Sequence, residues 1–150
     1  MKVSIGCDHG GYALKEEVKA HLTEKGIEVV DFGTYDLTSC DYPEFAEKAA
    51  LAVANGECEK GIVICTTGIG ISIAANKIKG IRCALCSDLT SARLTREHND
   101  ANVLAMGAAI IGNLAALDIV DVFLSTEFSG MEKHARRIAK IAEIEGGLHG

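Results

Sequence analysis

The chain of 150 residues has one proline, no tryptophan and only 5% aromatic residues. With so little proline and no low-complexity tract, a Pro-rich linker or scaffold is excluded. The balance of 48% hydrophobic to 24% charged residues excludes a disordered chain and predicts a packed core. No stretch approaches the ~18 apolar residues of a membrane span, and the opening Met1-Lys2-Val3-Ser4-Ile5-Gly6-Cys7-Asp8 meets an acid before a secretory core could develop. A soluble, cytoplasmic protein without a membrane partner is expected. Basic residues are outnumbered, 15 Lys and Arg against 21 Asp and Glu, a formal net charge of −6. Affinity for a polyphosphate chain rests on clustered cations, so a general nucleic-acid binder is excluded, although a small anion could bind locally. The one basic concentration is Lys133, Arg136, Arg137 and Lys140, which by itself reads as a solvated helix face.

Cysteine is not scarce, with six residues, but they are scattered through apolar runs. Without a secretory signal this favours buried thiols, one of them reactive, over a disulfide framework. Cys83 and Cys86 have a C-x-x-C spacing that could suggest a redox pair or zinc, but on a strand residues three apart point to opposite faces.

The length fits one domain spanning residues 1–150. Apolar runs predict strands over Lys2–Cys7, Glu28–Phe32, Gly61–Cys65, Arg82–Cys86 and Asn102–Met106. Between them lie helical patterns: Leu14, Val18 and Leu22 closed by Gly26; Ala46, Ala49, Ala50 and Val53 after a capping box at Asp41-Tyr42-Pro43-Glu44; then 71–77, 88–98 and 113–124. A last helix is expected over about 131–145, before a frayed tail from Gly146 to Gly150. This alternation implies an α/β fold, a right-handed parallel sheet with helices on both faces. Ligands of such sheets bind beyond the carboxyl ends of the strands, which selects the loops that begin at Asp8, Cys65, Ser87 and Gly107.

Two of those loops carry suggestive chemistry. Cys65-Thr66-Thr67-Gly68-Ile69-Gly70 places glycines and hydroxyls where a strand turns into a helix, so that amides can converge on an anion. The dinucleotide fingerprint fails, because its third glycine is Ile73, and no P-loop lysine is present. Cys65 ends a buried strand, where a structural thiol is the ordinary reading. Facing a helix N-terminus, however, its thiolate is favoured, which suits a general base for a carbon acid. Asp8-His9 and His98-Asn99-Asp100 bring acid and base groups into segments that could reach this loop.

The residues Gly6-Cys7-Asp8-His9-Gly10-Gly11, Asp41-Tyr42-Pro43, Gly68 to Lys77 and Glu97 to Val103 together resemble ribose-5-phosphate isomerase B and its galactose-6-phosphate and allose-6-phosphate relatives. The likeness implies a Rossmann-like three-layer αβα fold with a five-stranded parallel sheet, no cofactor and no metal. It also implies a homodimer, often paired into tetramers, with active sites between subunits and the last helix on the partner. Cys65 would take the proton from C2 of the open-chain aldose, while Thr67 and the amides of Thr66, Gly68, Ile69 and Gly70 hold the enediolate oxygen. His98 would assist ring opening, Asp8, His9 and Asn99 would contact the sugar, and Lys133 and Arg137 would meet the phosphate.

Three departures bear on the substrate. Thr66 stands where the relatives usually have Gly, Ala109 where a phosphate-binding Arg is common, and Lys133 in an Arg position. Lys is a point charge without the bidentate fork of Arg. Interconversion of ribose 5-phosphate and ribulose 5-phosphate is therefore the leading expectation, with a four- or six-carbon sugar phosphate as the alternative. A non-catalytic sugar-phosphate binding domain and a redox protein using Cys83 and Cys86 are the rivals from other classes.

Overall fold

The structure is a computed structural model that describes residues 1–148. Five strands, β1 (Lys2–Cys7), β2 (Glu28–Asp31), β3 (Lys60–Cys65), β4 (Cys83–Leu85) and β5 (Val103–Gly107), form one sheet in the order β2-β1-β3-β5-β4. Every pairing is parallel. Six helices connect or follow them: α1 (Tyr12–Glu24), α2 (Tyr42–Ala54), α3 (Ile69–Ala75), α4 (Leu89–Asn99), α5 (Asn113–Ser125) and α6 (Glu132–Glu143). Among the described residues no helix is long and apolar enough to cross a membrane.

Alternation along the strands divides the core into two layers. Val3, Ile5, Cys7, Ile62, Ile64, Leu104 and Met106 face α1, α4 and α5, whereas Val63, Cys65, Val103 and Ala105 face α2 and α3. Each fully buried Ile or Leu is worth about 1.5–3 kcal/mol over leaving it in water. The second layer is thin because its residues are small: the Ser4 hydroxyl donates to the Ala49 carbonyl at 2.8 Å, and a Cβ on Gly6 would sit 2.8 Å from the Phe45 oxygen. Helix α2 therefore lies close on β1.

Chain connections leave β1 and β3 in opposite directions, β1 toward β2 and β3 eventually toward β4, although the two strands are neighbours. This is a topological switch point, the place where sheets of this kind form their ligand crevice between the loops that follow the two strands, here β1 and β3.

The sequence expectations differ from the structure in detail. Asp41 caps α2, but its side chain makes no capping bond; the Glu44 amide turns back to the Asp41 carbonyl instead, and Pro43 occupies the first turn, so the capping box is not formed. Gly26, at φ +80°, closes α1 as expected, its amide on the Thr23 carbonyl. Helix α3 begins two residues earlier than the apolar pattern suggests, because Gly68 at φ +78° turns the chain at once into it. Strand β4 is cut to three residues at the sheet edge. The expected frayed tail begins instead as a π-turn over Ile144–Leu148; His149 and Gly150 lie outside the described residues.

Candidate active site

Cys65 is the last residue of β3, and only 4% of its surface is exposed. Its sulfur accepts the Gly68 amide at 3.1 Å. Gly68 holds a left-handed conformation, and a Cβ there would fall 2.5 Å from a Leu85 methyl and 2.7 Å from the Met106 backbone, so no other residue fits without strain. The loop is fastened to β5 from below: the amides of Ala108 and Ala109 donate to the carbonyls of Cys65 and Thr66, both at 2.9 Å. Ala109 thus supports the loop through its backbone, and its side chain brings no cation.

Two of the amides expected to hold an oxyanion are already engaged. Gly68 N–H points to the Cys65 sulfur and Ile69 N–H to the Thr67 hydroxyl at 3.2 Å. The cradle is narrowed by this to the amides of Thr66, Thr67 and Gly70. The Ser72 hydroxyl is directed at the Ile69 carbonyl, 2.7 Å away.

The loop after β1 faces this one across the crevice. Asp8 is 94% buried, and its Oδ1 accepts the Gly11 amide at 3.2 Å, which caps a short 3-10 turn over His9–Gly11. A Cβ on Gly10 would overlap the Thr66 hydroxyl oxygen and approach Asp8, and one on Gly11 would overlap the Ile64 carbonyl. The glycine pair thereby lets Asp8, His9 and the Cys65 loop meet. The His9 Nδ1 accepts the backbone N–H of Cys40 at 3.2 Å.

Two residues belong here that the sequence reading did not assign. Tyr42, at the start of α2, lays its ring and hydroxyl over Gly70, within 2.6–2.8 Å of where a Cβ would be. Cys40 orients His9 through its amide. Tyr42 could have been found from the Asp41-Tyr42-Pro43 run, since a helix N-terminus beside the crevice presents its first residue to it; Cys40 meets His9 Nδ1 through its amide at 3.2 Å and its thiol at 3.9 Å, a pairing with no partner nearby in sequence to signal it.

His98 and Asn99 are not brought to Cys65, which corrects the expectation that their segment could reach it in one chain. Helix α4 runs back against the strands, so its last turn lies at the amino ends of β4 and β5, where the Asn99 carbonyl accepts from Arg82 at 2.8 Å. Cys65 pairs with Gly107 at the other end of β5, four residues and about 13 Å along the strand from Val103. Lys133, His134 and Arg137 on α6 join His98 instead. The rings of His98 and His134 stack with centroids 4.4 Å apart, and His134 Nδ1 lies 2.8 Å from the Ser129 hydroxyl. Burial, then the nearby His98, Lys133 and Arg137, hold the His134 pKa below its ordinary value. Lys133 and Arg137 are exposed, and His134 is the one buried residue of α6.

Three of the other thiols are held in the protonated form. Burial pushes Cys7 and Cys83 up to about 12 and Cys86 to about 11. Cys83 and Cys86 do face opposite layers of the core, so their spacing makes no redox pair. Among the described residues no group of three or more His, Cys, Asp or Glu is placed to hold a metal ion.

A family model for "Ribose/Galactose Isomerase" matches residues 3–141. Ribose-5-phosphate isomerase B of Escherichia coli is 51% identical over 144 residues, 96% of either chain. A solved ribose-5-phosphate isomerase B of Clostridium thermocellum superposes with a TM-score of 0.96 at 57% identity, covering 97% of this chain and 98% of the other. The Mycoplasma genitalium ribose-5-phosphate isomerase B, solved with bound ribulose-5-phosphate, superposes at 0.92 with 40% identity, covering 98% and 97%.

Proposed function

The chain belongs to the ribose/galactose isomerase family, and from that premise we propose that it is a cytoplasmic aldose–ketose isomerase that interconverts D-ribose 5-phosphate and D-ribulose 5-phosphate. The observation that carries this reading is the Cys65 sulfur, seated at a strand end on the Gly68 amide, in a loop whose Thr66 meets the Asp8-to-Gly11 turn at the switch point.

In the forward direction the Cys65 thiolate takes the proton from C2 of the open-chain aldose. The C–H electron pair forms the C1–C2 double bond, and the aldehyde π pair moves onto O1 as an oxyanion. Amides of Thr66, Thr67 and Gly70 meet that charge, each donor worth about 3 kcal/mol in the transition state. The O2 proton passes to O1, the Cys65 thiol returns its proton to C1, and C2 becomes the ketose carbonyl. Asp8 and His9 hold sugar hydroxyls. These steps need a positioned base and fixed donors, and no cofactor takes part in them.

Ring opening by His98, sugar contact by Asn99 and phosphate binding by Lys133 and Arg137 require a second copy of the chain, because in one protomer the last turn of α4 and the residues of α6 around it lie at the opposite ends of the strands from Cys65. A homodimer is the proposed working unit, and dimers can pair into tetramers. The exposed Ile141 and Ile144 and the single buried residue of α6 support a partner on that helix. Ala109 and Lys133 favour a second reading in which the preferred substrate is a four- or six-carbon sugar phosphate, since they weaken a clamp for the five-carbon phosphate.

Turnover of ribose 5-phosphate in the presence of a chelator tests the main reading. Cys65→Ala is expected to lower kcat by roughly 10³-fold. No turnover by the wild type, or equal turnover by the variant, would defeat it. Ranking kcat/KM over four-, five- and six-carbon aldose phosphates decides between the two substrates.

A further inference from the structure

Lys15 is wholly buried, and it is an ammonium. Its Nζ donates to both Asp31 carboxylate oxygens at 2.8 Å and to the Thr34 carbonyl at 2.7 Å, which uses all three of its protons. The rings of Tyr12 and Tyr35 stand 5.4 and 5.0 Å from it. Asp31 also accepts the Gly33 amide at 2.8 Å, and Lys19 at 3.1 Å. Burying a charge is costly unless it is fully paired, so this arrangement is bound to one geometry.

That geometry ties two parts of the crevice together. Lys15 stands in the first turn of α1, directly after the His9–Gly11 turn. Its acceptors lie at the end of β2 and in the corner 33–34, which is bonded to the end of β1 through Cys7 N–H to Gly33 O and Thr34 N–H to Cys7 O, both 2.7 Å. From this corner the chain runs over 35–39 to Cys40, whose amide meets His9 Nδ1. The ammonium therefore fixes both sides of the His9–Cys40 contact. We propose that Lys15 is a positioning residue for the isomerisation: clamped to Asp31 and Thr34, it holds the Cys40 N–H on His9 Nδ1, so that the neutral ring carries its proton on Nε2 and offers the substrate a donor there. Lys15 touches no substrate and acts through His9.

The consequence for turnover rests on the isomerase reading; the ring state does not, and two measurements keep them apart. In ¹⁵N NMR of the wild type, His9 is expected in the single Nε2–H form when neutral, and in Lys15→Met as a mixture of both tautomers. In the assay, Lys15→Met is expected to lose roughly 10- to 100-fold in kcat/KM, the scale of a misplaced contact group. It should lose less than about two-fold more when introduced into His9→Ala, since coupled residues are not additive. Asp31→Asn keeps the volume of the site and carries the same two readouts should Lys15→Met not fold. A single Nε2–H tautomer retained in the folded variant, or an undiminished loss in the His9→Ala background, would overturn the clamp. If the wild type turns over no aldose phosphate, the functional reading fails and the tautomer alone decides the clamp.

Discussion

The crevice around Cys65 and the cationic cluster around His98 are built in opposite ways. The first lies at the carboxyl ends of the two central strands, its thiol buried, its loop backbone tied to β5 by Ala108 and Ala109, and its glycines in contact with what faces them. The second lies at the amino ends, on the last turn of α4 and an α6 of which one residue is buried, with its cations in solvent. One chain builds the crevice from its own strand ends, whereas the cationic cluster stands exposed at the opposite ends of the strands. In the proposed dimer, chemistry that depends on placement would sit on the rigid part, and charge that acts over distance on the part that meets the neighbour.

The largest effect that would break this comparison comes from mixing two inactive variants. Cys65→Ala and His98→Asn, each assayed alone, should be nearly without activity. Co-refolded in equal amounts, half the dimers would be mixed and each would hold one intact shared site, so that activity returns to about a quarter of the wild type. Recovery absent from the refolded mixture, with dimers demonstrated by light scattering, would show that both halves serve from a single chain.

A smaller effect sharpens the phosphate side. Lys133→Arg supplies the bidentate fork and should lower KM for the preferred sugar phosphate several-fold, about 1 kcal/mol, with kcat little changed. An equal change in KM for the unphosphorylated sugar would show that position 133 does not read phosphate.

The smallest concerns pH. His134 has a folded pKa below its ordinary 6.5, so between those values the unfolded chain binds more protons than the folded one. Stability should therefore fall as pH drops below about 6.5 and level off once the folded pKa is passed. Thermal unfolding from pH 8 to 5 should show this slope, and His134→Asn should flatten it. An unchanged slope would remove His134 as its origin.

Much of the crevice was legible in the sequence because its signals are local. A β-branched run ending in Cys65 and followed by Gly68 can only be a strand turning into a helix, and Asp8 with Gly10-Gly11 marks the neighbouring turn. What failed to show had physical reasons. Cys40 meets His9 only once the fold brings two loops 31 residues apart together, and Lys15 looks like any polar residue in a helix until the fold closes Asp31 over it. Separation of His98 from Cys65 follows from the direction of α4, a consequence of parallel topology that residue types do not carry. The Asp41–Glu44 run had the residues of a capping box, but the backbone satisfied the helix end without it.

The closeness of α2 to the sheet reaches beyond packing. Gly6 and Ser4 set how near that helix may come, and Tyr42, three residues before the Phe45 carbonyl that packs on Gly6, forms part of the crevice wall over Gly70. The helix acts as a lever whose fulcrum is the bare face of β1, and the width of the opening above the thiol is set by the thickness of side chains beneath it. A methyl group added at Gly6 would be felt first as a changed aperture, and sugars of different length would register it unequally.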